Sequence, residues 1–395
     1  MSNLHIRHLY LVDFRTYASV DLDLPSGPIA LVGANGMGKT NIVEAIGYLS
    51  TLASHRVASD APLVRQGAAA ARIAADVVRD DRALKVEIDI VPGSSNRARI
   101  NNAPTQKPRE ILGIVRTVMF APEDLAIGEG DPADRRRMLD ELIVQRNPRM
   151  AGVRTDYDRV LKQRNALLKS AHGARRVNSE AVEATLAVWD EQLVEQGAQI
   201  MVARHRAIEA LAPLAAADYA RIAPASQALG MRYVTTIGDD PITDVAATGE
   251  RLMTALGDRR KAELDRGVTL VGPHRDELQL TIGDLAVKGY ASHGESWSVA
   301  LALRLGTYDL LDADQATPIL ILDDVFAELD TARRRHLAER VASAPQVFIT
   351  AAVAEDVPTQ VAATWFDVSR SPNDAQAGGS GGGTGGVIGS VTRRE

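Results

Sequence analysis

The stretch GANGMGKTNI, Gly33–Ile42, decides how this sequence is read. Glycines stand at 33, 36 and 38, and a lysine, a threonine and an asparagine follow at once. Glycine has no Cβ, so a segment this rich in it can turn tightly and aim several backbone N–H groups at one point. Upstream, PIALVG reads as a short buried strand; downstream, Ile42, Val43, Ile46 and Leu49 recur at helical spacing, so a helix begins after Thr40. The helix start adds the positive end of its dipole to the converging N–H groups. The spacing G-x-x-x-x-G-K-T over Gly33–Thr40 is that of a phosphate-binding loop, in which Lys39 reaches β- and γ-phosphates and Thr40 holds Mg2+ through its hydroxyl.

Composition sets the limits around that motif. The 395 residues suffice for a sizeable core and two domains. With 45% apolar and 24% charged residues, the balance is that of a soluble globular protein. There is no cysteine, which excludes disulfides, thiolate metal sites and a cysteine nucleophile. The opening MSNLHIRHLY lacks the apolar stretch and cleavage site of a leader, and no apolar run approaches a membrane span, so a cytoplasmic protein with no membrane contact is expected. A net charge of −6 leaves nucleic-acid binding to local basic clusters. These occur at Arg135–Arg137, Arg175 and Arg176, Arg259–Lys261 and Arg333–Arg335, mostly interleaved with acids. Taken singly, such a run is more often a solvated helix face than a phosphate contact.

Along the chain, LHIRHLYLV, SVDLDL, PIALVG, ARIAADVV, ALKVEIDIV and IVRTVMF read as strands. From Pro132 the apolar spacing becomes helical, through Leu139, Leu142, Tyr157, Val160 and Leu168, then again from Val182 through Leu186 and Leu193 toward Ile208. A turn near AHGARRVNSE would join two helices of about 30 residues into a hairpin of roughly 45 Å; a compact helical domain is the alternative. Strand signals return in TLVGPH, LQLTI, PILILDDVF and QVFIT, with helices at Glu295–Leu311 and Thr331–Val341. The expected division is an N-terminal head portion over 1–131, a helical arm over 132–267, a C-terminal head portion over 268–370 and a glycine-rich disordered tail over 371–395.

A nucleotide cradle also needs carboxylates to support the metal and direct water. In PILILDDVFAELD, Ile319–Leu322 read as a central parallel strand with Asp323 and Asp324 at its C-terminal end, where open α/β sheets hold their ligands. Asp323 is expected to support Mg2+ and Asp324 to polarise the attacking water. The lysine and these acids lie on opposite sides of the helical insertion, which implies one ATPase head assembled from both ends of the chain. Between them, in KGYASHGESWSVALALRL, Ser292 can cap a helix whose apolar face runs through Trp297, Leu301 and Leu305. In a split head this resembles the signature loop of ATP-binding-cassette ATPases, which meets the γ-phosphate on the partner subunit.

The order DFRTY, GANGMGKTN, FAPEDL with DPADRRRMLD, LVGPHRDEL, KGYASHGES and LILDDVFAELD, from Leu4 to about Val353, resembles the RecF family of recombination-mediator ATPases, relatives of SMC heads. The resemblance implies an α/β fold: a P-loop NTPase head of the ABC/SMC type with an inserted α-helical arm domain. It implies ATP and Mg2+ as cofactors, with ATP bound along Gly33, Ala34, Asn35, Gly36, Met37, Gly38, Lys39, Thr40 and Asn41. Metal falls to Thr40 and Asp323, and catalysis to Lys39 and Asp324. Ser292, His293, Gly294 and Glu295 match the signature acting in trans, and Glu328 to Asp330 the loop that closes against the opposite protomer.

The family also implies an ATP-dependent homodimer, weak DNA-stimulated hydrolysis serving as a release switch, and a nucleoid-associated location. Its ligands would be double-stranded DNA and gapped or single-strand-junction DNA, its partners RecR and RecO, and its indirect client RecA. Arg135, Arg136, Arg137, Arg175 and Arg176 are the candidate DNA contacts, of a kind that gives salt-dependent affinity without sequence choice. Pairing of the Arg135 cluster with Asp134 and Asp140 inside the fold is the equal alternative.

Three residues depart from relatives of this head. Signature loops of the family commonly end in Gln, whereas Glu295 would bring like charges together at a γ-phosphate unless a cation intervenes. Asp324 stands where SMC heads and transporters carry Glu, and its shorter reach suits slow hydrolysis. Thr350 stands where transporter ATPases place a histidine, which weighs against one alternative, a transport-type ABC ATPase subunit. The other alternative is a nucleotide-gated DNA-binding module in which hydrolysis is incidental. His274 and Arg275 are read either as structural or as touching nucleotide or bracing the head interface.

Overall fold

The computed structural model describes residues 4–80, 82–173, 179–242, 244–315, 317–371 and 388–394. The chain divides into two compact units, Met1–Leu125 with Arg221–Pro224 and Ala300–Glu395, and Ala126–Ala220 with Ala225–Val299. Both ends of the chain therefore build the first unit. The Ser292–Glu295 segment, expected within the head portion, falls in the second.

In the first unit, strands Gly27–Val32, Gln346–Ala351, Ile319–Asp323 and Thr117–Phe120 lie side by side, each parallel to its neighbour. Every residue of Ile319–Asp323 and of Gln346–Ala351 is buried, as a parallel sheet covered on both faces requires. Thr364–Ser371 adds parallel to Gly27–Val32, and Ile388–Arg393 pairs antiparallel on its outer edge. A second, antiparallel sheet runs Tyr17–Asp23, His5–Phe14, Ala71–Arg79, Arg82–Ile90, Arg97–Ile100 and Ala103–Pro104. Helix Lys39–Thr51 is buried nearly all round because it packs on both sheets. Its Ile42, Ile46 and Leu49 share one core with Leu9, Leu11 and Ile73 of the antiparallel sheet and Ile29, Ile321 and Phe348 of the parallel one.

Two polar devices tie this unit together. Gln346 is fully buried; its amide accepts from Ile6 N–H at 2.8 Å and donates to the carbonyls of Ile6 at 2.8 Å and Pro25 at 2.9 Å, stitching one sheet to the other. Glu44, buried in the helix, receives Arg15 at 2.8 and 2.5 Å and the Ser54 hydroxyl at 2.5 Å, so its charge is matched where water cannot reach it.

The second unit holds helices Pro132–Arg146, Met150–Gly173, Ser179–Ile222 and Val245–Arg266 and a three-stranded sheet of Leu285–Ala286, Glu277–Ile282 and Leu229–Val234. The two long helices have 24 and 44 residues, where the sequence suggests an even pair. Leu168, Val182 and Leu186 join them, and Leu264 of helix Val245–Arg266 packs on that contact. Residues 174–178, which include Arg175 and Arg176, lie outside the described residues.

Three elements differ from the sequence reading. Leu229–Val234 is a strand inside the stretch read as helical, satisfied by pairing with Glu277–Ile282. TLVGPH is not a strand: the N–H groups of Thr269, Leu270 and Gly272 go to the side chains of Asn165, Glu263 and Thr236, and Gly272 sits at φ +125°. Residues 388–393 of the glycine-rich tail form a strand, because the edge of Thr364–Ser371 supplies a ladder that a six-residue pattern does not advertise.

Arg164 sits fully buried in the helical unit, donating to Asp190 at 2.7 Å, Thr269 Oγ1 at 2.8 Å and Glu263 at 2.6 Å, with Arg260 also on Asp190. Removing one side of such a network strands a charge away from water. Arg164→Ala is expected to destabilise this unit by about 3–5 kcal/mol, read as a lowered urea midpoint of the helical signal.

Candidate nucleotide site

The loop after strand Gly27–Val32 needs its glycines for two different reasons. Gly36 and Gly38 adopt φ +81° and +116°, which L side chains rarely do. Gly33 instead allows close approach, since a Cβ there would come within 2.1 Å of the Val368 carbonyl oxygen. Ala34, Asn35 and Gly36 form the exposed crest, and Met37 turns back onto the core. Lys39 is 3% exposed, and its ammonium folds across the loop to donate to the Gly33 carbonyl at 2.8 Å and Asn35 Oδ1 at 3.4 Å. Asn41 donates to Thr16 Oγ1 at 3.0 Å and accepts from Arg56 at 3.2 Å.

The acids arrive from the other end of the chain. Thr40 Oγ1 donates to Asp323 Oδ1 at 3.1 Å, and Lys39 Nζ stands 4.0 Å from Asp324 Oδ1. Thr350, on the strand between those carrying the loop and the acids, donates its hydroxyl to Asp323 at 2.6 Å and accepts the Asp324 N–H at 2.9 Å. That N–H bond anchors Asp324 at φ +53°, a left-handed conformation that aspartate tolerates better than most residues. Burial pushes the Asp323 carboxyl up to about 6, and neighbouring Asp324 pushes the same way, against the hydrogen bonds from Thr350 and Thr40. The loop, Lys39, Thr40 and Asp324 line a cleft of about 520 Å³ together with Arg15, Thr16, Arg56, Gln66 and Arg370.

These residues fit a magnesium nucleotide. A Cβ at the crest residue Gly36 would meet no atom within 4 Å, so the outer side of the loop is open to a ligand. Among the described residues no three His, Asp or Glu side chains are grouped to cage a metal. One carboxylate, one hydroxyl and phosphate oxygens are what Mg2+ commonly takes.

The remaining sequence candidates are placed as follows. Ser292–Glu295 belong to the helical unit and open helix His293–Ala313, which continues into the first unit from Ala300. Glu295 folds back to accept the Ser292 N–H and hydroxyl, both at 2.8 Å, while its own N–H donates to Ser292 Oγ at 3.3 Å. This is a capping box, and it occupies the carboxylate. His293 is exposed and accepts from Trp297 Nε1 at 3.0 Å. Glu328 ends a 3-10 turn, and Asp330 caps helix Thr331–Ser343 by accepting the Arg333 N–H at 2.9 Å.

The Arg135 expectation is corrected. Arg135 is 5% exposed, and its guanidinium is committed to Glu277 and to the carbonyls of Ile127 and Gly130, so it does not offer itself to DNA. Its partner is neither Asp134 nor Asp140. Arg136 donates to the Asp276 carbonyl at 2.8 Å, and Arg137 is exposed. His274 joins Tyr157 at 2.6 Å and the Thr269 carbonyl at 3.2 Å, and burial lowers its pKa to about 4, so it is a neutral packing residue. Arg275 donates twice to the Thr269 carbonyl. Arg56 and Arg370 are the cleft arginines that the sequence analysis did not single out. No local motif marks them, and Arg370 reaches the cleft only because Thr364–Ser371 pairs beside Gly27–Val32.

The family model of the RecF/RecN/SMC N terminal domain matches residues 5–373. The DNA replication and repair protein RecF of Streptomyces avermitilis is 56% identical over 368 residues, covering 93% of this chain and 98% of the relative. The chain belongs to the RecF family. RecF of Frankia alni is 55% identical, with the same coverage. Among solved structures, the recombination mediator protein RecF of the RecFOR pathway with ATP superposes with a TM-score of 0.82 at 27% identity, covering 93% of this chain and 98% of that one. The Smc head domain of Pyrococcus furiosus, with a TM-score of 0.54 at 17% identity over 99% of this chain and 96% of that one, shares the fold. The α/β head of ABC/SMC type with a helical insertion thus stands. No helix among the described residues is long and apolar enough to cross a membrane.

The raised Asp323 carboxyl predicts a pH dependence with a definite sign. The native state holds the proton more tightly than the unfolded chain between about pH 4 and 6, so this group costs stability as pH rises through that window. Without nucleotide or Mg2+, Asp323→Asn is expected to stabilise the protein at pH 7.5 by up to about 3 kcal/mol, with the gain fading toward pH 4. Thermal unfolding of both proteins across that range reads it out.

Proposed function

We propose that this chain is an ATP-dependent dimerising DNA-binding protein of recombinational repair that binds duplex DNA near single-strand gaps. It works with RecO and RecR to load RecA, and slow ATP hydrolysis serves as the release switch. The observation that carries the reading is the 3.1 Å hydrogen bond from Thr40 to Asp323, which unites the phosphate loop with acids from the far end of the sequence. Relatives bearing the name DNA replication and repair protein RecF, and a solved RecF structure with ATP, support the biological setting.

In this reading Lys39 exchanges its Gly33 carbonyl for β- and γ-phosphate oxygens. Thr40 and Asp323 would hold Mg2+, which when bound would neutralise charge on the phosphates. Asp324 orients and polarises the attacking water, held at one backbone setting by Thr350. In trans, the capped helix beginning at Ser292 offers its N-terminal dipole and His293 to the partner's nucleotide, while the capping box keeps the Glu295 carboxylate folded back on Ser292. Glu328 and Asp330 meet the opposite protomer. Duplex phosphates are met by exposed arginines such as Arg137. Membership of the RecF family sets the transport-subunit alternative aside.

Lys39→Ala is expected to abolish ATP binding in calorimetry. Asp324→Asn should keep binding, slow turnover by about 10²–10⁴-fold, and accumulate dimer with ATP and Mg2+ in light scattering. A monomer under every condition, with and without gapped duplex, would overturn the dimer reading. A trapped Asp324→Asn dimer that supports repair indefinitely would show hydrolysis to be incidental.

A further inference from the structure

Strand Ile388–Arg393 lies beyond residue 373, where the family match ends, yet it is built into the nucleotide head. It pairs with Thr364–Ser371 from Phe366 opposite Arg393 to Ser371 opposite Ile388. Arg394 holds both Asp367 carboxylate oxygens, the closest contact at 2.6 Å, and stacks 5.6 Å over the Trp365 ring. Val391 packs against the main core.

The inner contact of this strand reaches the phosphate loop. Gly389, opposite Arg370 in the register, lies so close to the Tyr17 ring that a Cβ would come within 2.3 Å of it. Tyr17 is fully buried, and among the described residues its hydroxyl meets no hydrogen-bond partner. That hydroxyl stands where a Cβ on Gly38 would meet it at 2.7 Å. The ring is thus wedged between Gly389 of the terminal strand and Gly38 of the phosphate loop. Burying a hydroxyl without a partner is unfavourable, so close packing on both flanks helps to hold the ring in this place. Arg370, on the strand that Ile388–Arg393 covers, lines the cleft itself.

We propose that the C-terminal strand is a clasp on the nucleotide site: its docking on the edge of Thr364–Ser371 seats Tyr17 against Gly38 and presets the phosphate loop for a nucleoside triphosphate. The proposal rests on the ATP-binding reading above. Its rival is an edge cover that shields the sheet from other strands and leaves the loop indifferent.

The test compares the full chain with a chain ending at Ser371 and with full-length Gly389→Val, using amide hydrogen exchange without nucleotide and calorimetry with ATP and Mg2+. A clasp predicts faster exchange over residues 33–41 as well as 364–371, and ATP affinity weakened by about five- to tenfold through lost preorganisation, in both variants. Faster exchange confined to 364–371 with unchanged affinity would overturn it. Should the truncated chain fail to fold, Gly389→Val decides alone. If the full chain itself binds no ATP, the site reading fails, while exchange over 33–41 still judges the clasp.

Discussion

A hydroxyl of the first helix and a carboxylate at the end of a strand near the C-terminus share one hydrogen bond, Thr40 to Asp323, and the geometry of the head turns on it. For that bond to form, Gly27–Val32 must lie one strand away from Ile319–Asp323, with Gln346–Ala351 between them. The intermediate strand is not a passive spacer. Its Thr350 hydroxyl serves both acids, and its Gln346 amide fastens the antiparallel sheet, so the same six residues set the chemistry at one end and the layering at the other.

The fold treats its buried ions in two ways. Glu44 and Arg164 are each met by an opposite charge at hydrogen-bonding distance, which is how a low-dielectric interior tolerates them. Asp323 is met by two hydroxyls, from Thr40 and Thr350, and faces a second carboxylate at Asp324. Its ionised form is therefore under-compensated by the protein alone, a condition that a divalent cation relieves. The conflict between local stability and the acid pair is what a site, as opposed to a core, looks like.

Much of this was legible from sequence where chemistry is local. G-x-x-x-x-G-K-T and the apolar run ending in Asp323 and Asp324 announce themselves, because a tight turn and a doubly buried strand each constrain residue type at fixed spacing. TLVGPH misleads for the opposite reason: its apolar residues resemble a strand, but its backbone donors are claimed by side chains, those of Asn165 and Thr236 far off in sequence and that of Glu263 on the preceding helix. Arg135 looks like part of a basic surface run until Glu277 is brought beside it. Arg370 becomes a cleft residue only through sheet pairing. What escapes a one-dimensional reading is partner choice between segments far apart.

The placing of strand Gly27–Val32 between Gln346–Ala351 and Thr364–Ser371 bears on how the molecule is made. A ribosome delivers that strand before the helical insertion and both of its neighbours after it. The emerging polypeptide must therefore carry an apolar strand with two open edges while the whole helical insertion is synthesised, an invitation to misassociation that chaperones commonly shield. Completion of the head therefore waits until the helical insertion has been made, and the helical unit, nearly contiguous in the sequence, has the earlier opportunity to mature.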